Sequence, residues 1–130
     1  MLWQFNSGSP IYSQLIHQIK QGIVSGIFPP GERLPSVRDL ATEAGVNPNT
    51  MQRALAELER DGLVYSQRTA GRFVTEDNDM IEAAKRGLAE AQIHAFLSAM
   101  THLGYEKEEI LTLVRQESER EATEHGGSGM

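Results

Sequence analysis

The sequence predicts a mainly α-helical chain with one small β-hairpin, in which three helices closed by the hairpin are followed by a two-helix module. Three observations carry this. Apolar residues recur at three- and four-residue spacing in five stretches, the mark of helices that bury one face. A single segment, Leu63 to Thr75, instead places Val64, Tyr65, Phe73 and Val74 around a polar middle containing Gly71, as strands joined by a turn would. Charge also divides the chain: residues 1–75 hold seven Lys and Arg against six Asp and Glu, a net of +1, whereas residues 76–130 hold five against twelve, a net of −7.

Ile11, Leu15, Ile19, Ile23 and Ile27 recur every four residues, with Ile16 beside them, and form the apolar stripe of the first helix. Pro10 suits its opening; Gly26, Pro29, Pro30 and Gly31 end it. A loop then runs to about Pro35. Ser36 and Asp39 resemble a capping box at the start of a short helix with Val37, Leu40, Ala41 and Ala44 inward and Gly45 as its stop. After a two-residue bend, Asn47 is an N-cap and Pro48 takes the first position of a third helix. Its Met51, Ala54, Leu55 and Leu58 face inward, and Asp61-Gly62 closes it. In the hairpin that follows, Gly71 sits late for a two-residue turn.

Residues 76–79 are polar and read as a linker that supplies first-turn acids. From Met80 to about Leu103 one helix carries two apolar stripes, Ile81, Ala84, Leu88, Ala91 and Ala95 on one and Ile93, Phe96, Met100 and Leu103 on the other, which calls for more than one packing partner. Gly104 ends it. A shorter helix from Lys107 to about Glu121 brings Ile110, Leu111, Leu113 and Val114, and the Gly-rich residues 122–130 are expected to be a disordered tail. The expected domains are therefore residues 1–75, a helical module over 76–121, and the tail.

A short helix, a tight bend and a third helix with a polar leading end and an apolar back make the helix-turn-helix layout, and a basic hairpin after it makes a wing. The fold class is thus a winged helix-turn-helix followed by a two-helix C-terminal module. Four segments, PIYSQL from Pro10, PPGERLPSVRDLA from Pro29, GVNPNTMQRALAELERDGLV from Gly45 and GRFV from Gly71, carry a resemblance to the GntR family of bacterial transcription regulators across residues 10–75. The acidic two-helix extension resembles the family's YtrA-type branch, whose C-terminal part is a small dimerisation module. MocR-type regulators share the winged helix but continue into an aminotransferase-like domain that two helices do not provide, so no lysine for pyridoxal phosphate is sought.

The resemblance implies a repressor that binds double-stranded operator DNA, and the residues have matching chemistry. Arg38, one turn into the second helix, can grip a phosphate or a guanine edge bidentately, or else remain solvated beside Asp39 or Glu43. Ser36 is a cap first and a phosphate contact second. Asn47, Asn49, Thr50, Gln52 and Arg53 occupy the exposed side or leading end of the third helix; amides read adenine and arginine reads guanine, although Asn47 alone could be only a cap. A common form of the family has arginines at the positions of Pro48 and Gln52, so base preference does not carry over. The wing tip reads Thr69-Ala70-Gly71 where many relatives have Gly-x-Gly, and Arg68 and Arg72 flank it. With Arg33, five of the seven basic residues before position 76 fall in these elements, a local footprint that outweighs the overall charge of −6.

Two-fold symmetry would match an inverted-repeat operator. The expected dimer surface is Ile81, Ala84, Leu88, Ala91, Ala95, Ile93, Phe96, Met100, Leu103, Ile110, Leu111 and Val114, two helices from each chain forming a four-helix assembly. Trp3 and Phe5 are expected to pack in the core or the dimer.

Other classes are disfavoured. The chain has 130 residues, 39% of them hydrophobic, and no cysteine, which excludes disulfides, thiolate metal sites and cysteine nucleophiles. MLWQFNSGSP lacks a signal peptide's basic start and apolar run, and no stretch approaches the ~18 apolar residues of a membrane helix. A soluble, cytoplasmic, unprocessed protein is expected. His94 and His102 lie ~12 Å apart along a helix, too far for one metal ion. No catalytic pattern, cofactor or metal site is expected. A winged helix can also serve protein interaction, which the helix and wing arginines argue against, and two helices leave little room for a ~300 Å³ effector pocket. No residue names an effector.

Overall fold

The structure, a computed structural model, describes the backbone of residues 1–129 and the side chains of residues 1–123. The order of elements is α1 (Ile11–Val24), α2 (Val37–Ala44), α3 (Pro48–Arg60), β1 (Val64–Gln67), β2 (Gly71–Val74), α4 (Asn78–His102) and α5 (Lys107–Gly129). It divides into two compact units, residues 1–88 and 89–130.

In the first unit, α1 lays Leu15, Ile19 and Ile23 against Met51, Ala54, Leu55 and Leu58 of α3, all at most 1% exposed. Each such aliphatic side chain contributes about 1.5–3 kcal/mol by leaving water. Leu40 and Ala41 of α2 close the core from another side, and Leu63, Val64 and Val74 of the hairpin complete it. Ile27, expected on the α1 stripe, is 57% exposed. The helix stops at Val24 and Gly26 at φ 87° turns the chain, so that the Phe28 amide donates to the Gly22 carbonyl at 2.9 Å. The Phe28 ring lies over Gly22, where a Cβ would sit 2.7 Å from it.

The helix-turn-helix is built by local side-chain bonds. The Asp39 amide donates to Ser36 Oγ at 3.1 Å and the Asn49 amide to Asn47 Oδ1 at 2.7 Å, satisfying helix-start donors that have no intrahelical partner. Gly45 at φ 71° ends α2, and the Val46 amide reaches back to the Ala41 carbonyl.

Strands β1 and β2 pair antiparallel from Val64↔Val74 to Gln67↔Gly71, leaving a three-residue loop, and Gly71 takes the positive φ that such a loop needs. Residues 31–34, expected to be loop, run along β2: the Leu34 amide donates to the Arg72 carbonyl and the Val74 amide to the Glu32 carbonyl. Flanking prolines and a length of four residues leave no alternation for a sequence to show.

The N-terminal segment lies along α1, held by side chains. Gln18 exchanges both amide bonds with the backbone of Gln4, and Gln14 bonds the N–H and C=O of Asn6 and the Ser9 carbonyl. Trp3 and Phe5 stack on each other and pack against the core.

The first compact unit runs past residue 75 into α4. Asp77 caps α4 by accepting from the Asp79 and Met80 amides, and Ile81, 8% exposed, joins the first core with Ala84 packed on it. These two residues, expected on the dimer surface, therefore belong to the first unit, and the division falls inside α4.

In the second unit, Gly104 at φ 100° ends α4, and the Glu106 amide donates to Glu109 Oε1 at the start of α5. Ile110 is buried, but Ile93, Phe96, Leu103, Leu111 and Val114 are 41–72% exposed. Phe96, Met100, Leu113 and Val114 line an apolar groove of about 480 Å³ rimmed by Glu117 and Glu121. Helix α5 passes the expected end near Glu121, because residues 117–123 are good helix formers and Arg120 pairs with Glu117 one turn earlier. The backbone of α5 is described through Gly129, and Met130 lies outside the described residues.

Candidate nucleic-acid interface

The core-facing stripe of α3 fixes what remains outside. Asn47, Asn49, Gln52 and Arg53 are exposed and Thr50 is half-buried. The caps that start the helices consume part of this chemistry: Asn47 Oδ1 and Ser36 Oγ each already accept a backbone amide. Their remaining capacity, and the helix N-termini they open, still favour an anion.

Pairing of the hairpin with residues 31–34 brings distant residues into one groove of about 360 Å³ between the start of α2 and the wing. Arg33, Ser36, Arg68, Gly71 and Arg72 line it, together with Ser66. The Arg33 guanidinium lies against Gly71, whose Cβ, if it had one, would stand 3.0 Å from Arg33 Nε. Thr69 is exposed at the loop. Arg38 and the α3 residues are not among the lining side chains.

The seven basic side chains of residues 1–75 separate by partner. Lys20 reaches Asp61 at 3.9 Å, Arg60 pairs with Glu57, and Arg72 stands 3.5 Å from Glu59. Arg53 places its guanidinium 4.6 Å from the centre of the Tyr12 ring, a cation–π contact that links α3 to the start of α1. Arg33, Arg38 and Arg68 are exposed, and among the described residues none has a carboxylate within ion-pairing distance. Glu43, one partner considered for Arg38, instead accepts from Trp3 Nε1 at 3.2 Å. Cations without internal partners are the ones available to neutralise phosphates.

Sequence reasoning missed Tyr12 and Glu59. Nothing in the spacing of the sequence marks Tyr12, beside the α1 stripe, or Glu59, after Leu58. Both acquire their roles through contacts across elements. Among the described residues no group of His, Asp and Glu could hold a metal ion, and no helix is long and apolar enough to cross a membrane.

Comparison with known proteins agrees with this geometry. A family profile described as bacterial regulatory proteins, gntR family, matches residues 11–74. The uncharacterized HTH-type transcriptional regulator YhcF of Bacillus subtilis is 41% identical over 108 residues, covering 83% of this chain and 89% of its own. The HTH-type transcriptional repressor YtrA of the same organism is 34% identical over 111 residues, covering 85% of each. Among solved structures, a GntR family transcriptional regulator from Listeria monocytogenes superposes with a TM-score of 0.79 at 42% identity, covering 86% of this chain and 98% of that one. The DNA-binding domain of AraR in complex with operator ORX1 superposes at 0.53 with 28% identity, over 58% of this chain and 96% of that one. With a helix-turn-helix, a wing and two further helices that align over nearly the full length of such relatives, the chain belongs to the GntR family of bacterial transcription regulators, beside the YtrA-type members.

Proposed function

We propose that this regulator is a cytoplasmic repressor that binds an inverted-repeat operator as a homodimer. One observation carries the DNA reading: Arg33, Arg38 and Arg68 stand exposed without a carboxylate partner, in the same unit as the polar side of α3. The AraR domain, which shares the fold of residues 1–75 and binds its operator, supports it. In this reading Arg33, Arg38 and Arg68 hold phosphates together with Ser36, Thr69 and the Gly71 backbone. Asn49, Gln52 and the leading end of α3 read bases, with Asn47 and Thr50 orienting them. Arg53, stacked on Tyr12, approaches the backbone from the side of α3.

The dimer reading rests on the second unit. Ile93, Phe96, Leu103, Leu111 and Val114 are exposed in the single chain, and a second copy supplies stripes of the same kind for them, with Ala91, Ala95 and Met100 between. Fluorescence anisotropy with a random-sequence duplex tests the first part: affinity should fall steeply as salt rises. Selection from a random DNA pool should then return two-fold symmetric sites; recovery of a single asymmetric half-site bound by a monomer would refute the operator geometry.

A further inference from the structure

Glu59, next to last in α3, meets both strands of the wing at one rung. Its Oε1 accepts the hydroxyl of Ser66 on β1 and lies 3.5 Å from Arg72 Nε on β2, and Ser66 and Arg72 are directly paired in the hairpin register. Arg72 is held inward: its side chain is 20% exposed, and Nε is buried without an aligned hydrogen bond even to the nearby carboxylate. Arg33, Arg38 and Arg68 are exposed, whereas Arg72 is mostly covered and reaches the groove with only part of its side chain. A two-stranded hairpin has little rigidity of its own, so what ties it to the recognition helix decides where its tip points.

We propose that Glu59 is a positioning residue for DNA recognition: it sets the pitch of the wing against α3 through the Ser66–Arg72 rung. Arg72, expected from the sequence to contact DNA, receives this brace instead. The inference rests on the DNA-binding reading above.

The test uses the full chain, a random-sequence duplex and a duplex selected by the wild-type protein, each titrated across a salt series. Arg72→Ala should leave the salt slope on random DNA unchanged. Glu59→Gln and Arg72→Ala should each weaken the selected duplex about three- to fivefold, as suits a partly exposed ion pair, and their double variant should lose no more than either. Ser66→Ala, at an exposed position that does not threaten the fold, should weaken it in the same direction by about twofold. The exchange Glu59→Arg with Arg72→Glu should recover affinity for the selected duplex, which loss of an ordinary surface charge would not do. A slope reduced by about one in Arg72→Ala marks a direct phosphate contact and overturns the proposal. Losses that add in the double variant overturn it as well. Wild-type protein that does not bind the random-sequence duplex and selects no duplex removes the DNA-binding reading itself, a result distinct from normal wild-type binding with variants that disobey the brace.

Discussion

The two units of this chain handle apolar residues in opposite ways. Residues 1–88 bury theirs among themselves, with nine large side chains below 2% exposure, whereas residues 89–123 leave most of theirs in solvent apart from Ile110. A helix with a single stripe finds its partner within the chain; one with two stripes keeps an unmatched face. The difference teaches that amphipathicity alone does not say where burial happens. Ile81 and Phe96 sit on the same helix with the same period, yet one completes a core and the other remains 43% exposed.

The largest effect should come from breaking the self-contained unit. Leu58→Ala should cost about 2–5 kcal/mol of stability in denaturant or thermal unfolding, because it leaves a cavity at a fully buried position of the core. An equivalent truncation in the other unit, Phe96→Ala, should change unfolding of the isolated chain by no more than about 0.5 kcal/mol. It should nevertheless weaken self-association about 30-fold, a loss of ~1 kcal/mol at each of the two symmetry-related Phe96 rings, as read by sedimentation. Sharpening the boundary, a fragment ending at Leu88 should stay folded and monomeric by light scattering, and a fragment ending at Asn78, which lacks Ile81, should melt earlier. A dimeric 1–88 fragment would move the interface into the first unit.

Smaller effects sharpen the division of labour within the interface. Asn49→Ala or Gln52→Ala should relax preference at particular base pairs by about 1–3 kcal/mol in competition binding. Arg38→Ala should weaken all sequences alike and lower the salt slope by about one. Ser36→Ala should remove about 1 kcal/mol through the α2 cap, seen in stability as well as in binding.

The helix-turn-helix was legible almost to the residue, since Ser36, Gly45, Asn47 and Pro48 act on their own neighbours and leave their marks within four positions. Features made by distant residues were not. The bridge of residues 31–34 to β2 forms only once β2 is beside it, Ile81 joins a core made by earlier elements, and Glu59 meets Arg72 thirteen positions on. Local charge singled out α2, α3 and the wing, but it could not separate Arg38, which has no ion-pair partner, from Arg72, which has one.

The glutamine ladder on α1 carries a consequence of a different kind. A primary amide offers one face with a donor and an acceptor side by side, as a peptide unit does, so Gln14 and Gln18, one helical turn apart, present a helix surface that imitates the rim of a β-sheet. The segment from Gln4 to Asn6 docks on that surface through its backbone groups. Its amides should therefore exchange with solvent on the timescale of side-chain release rather than of α1 unfolding, making this seam the first part of the unit to come undone and the last to form.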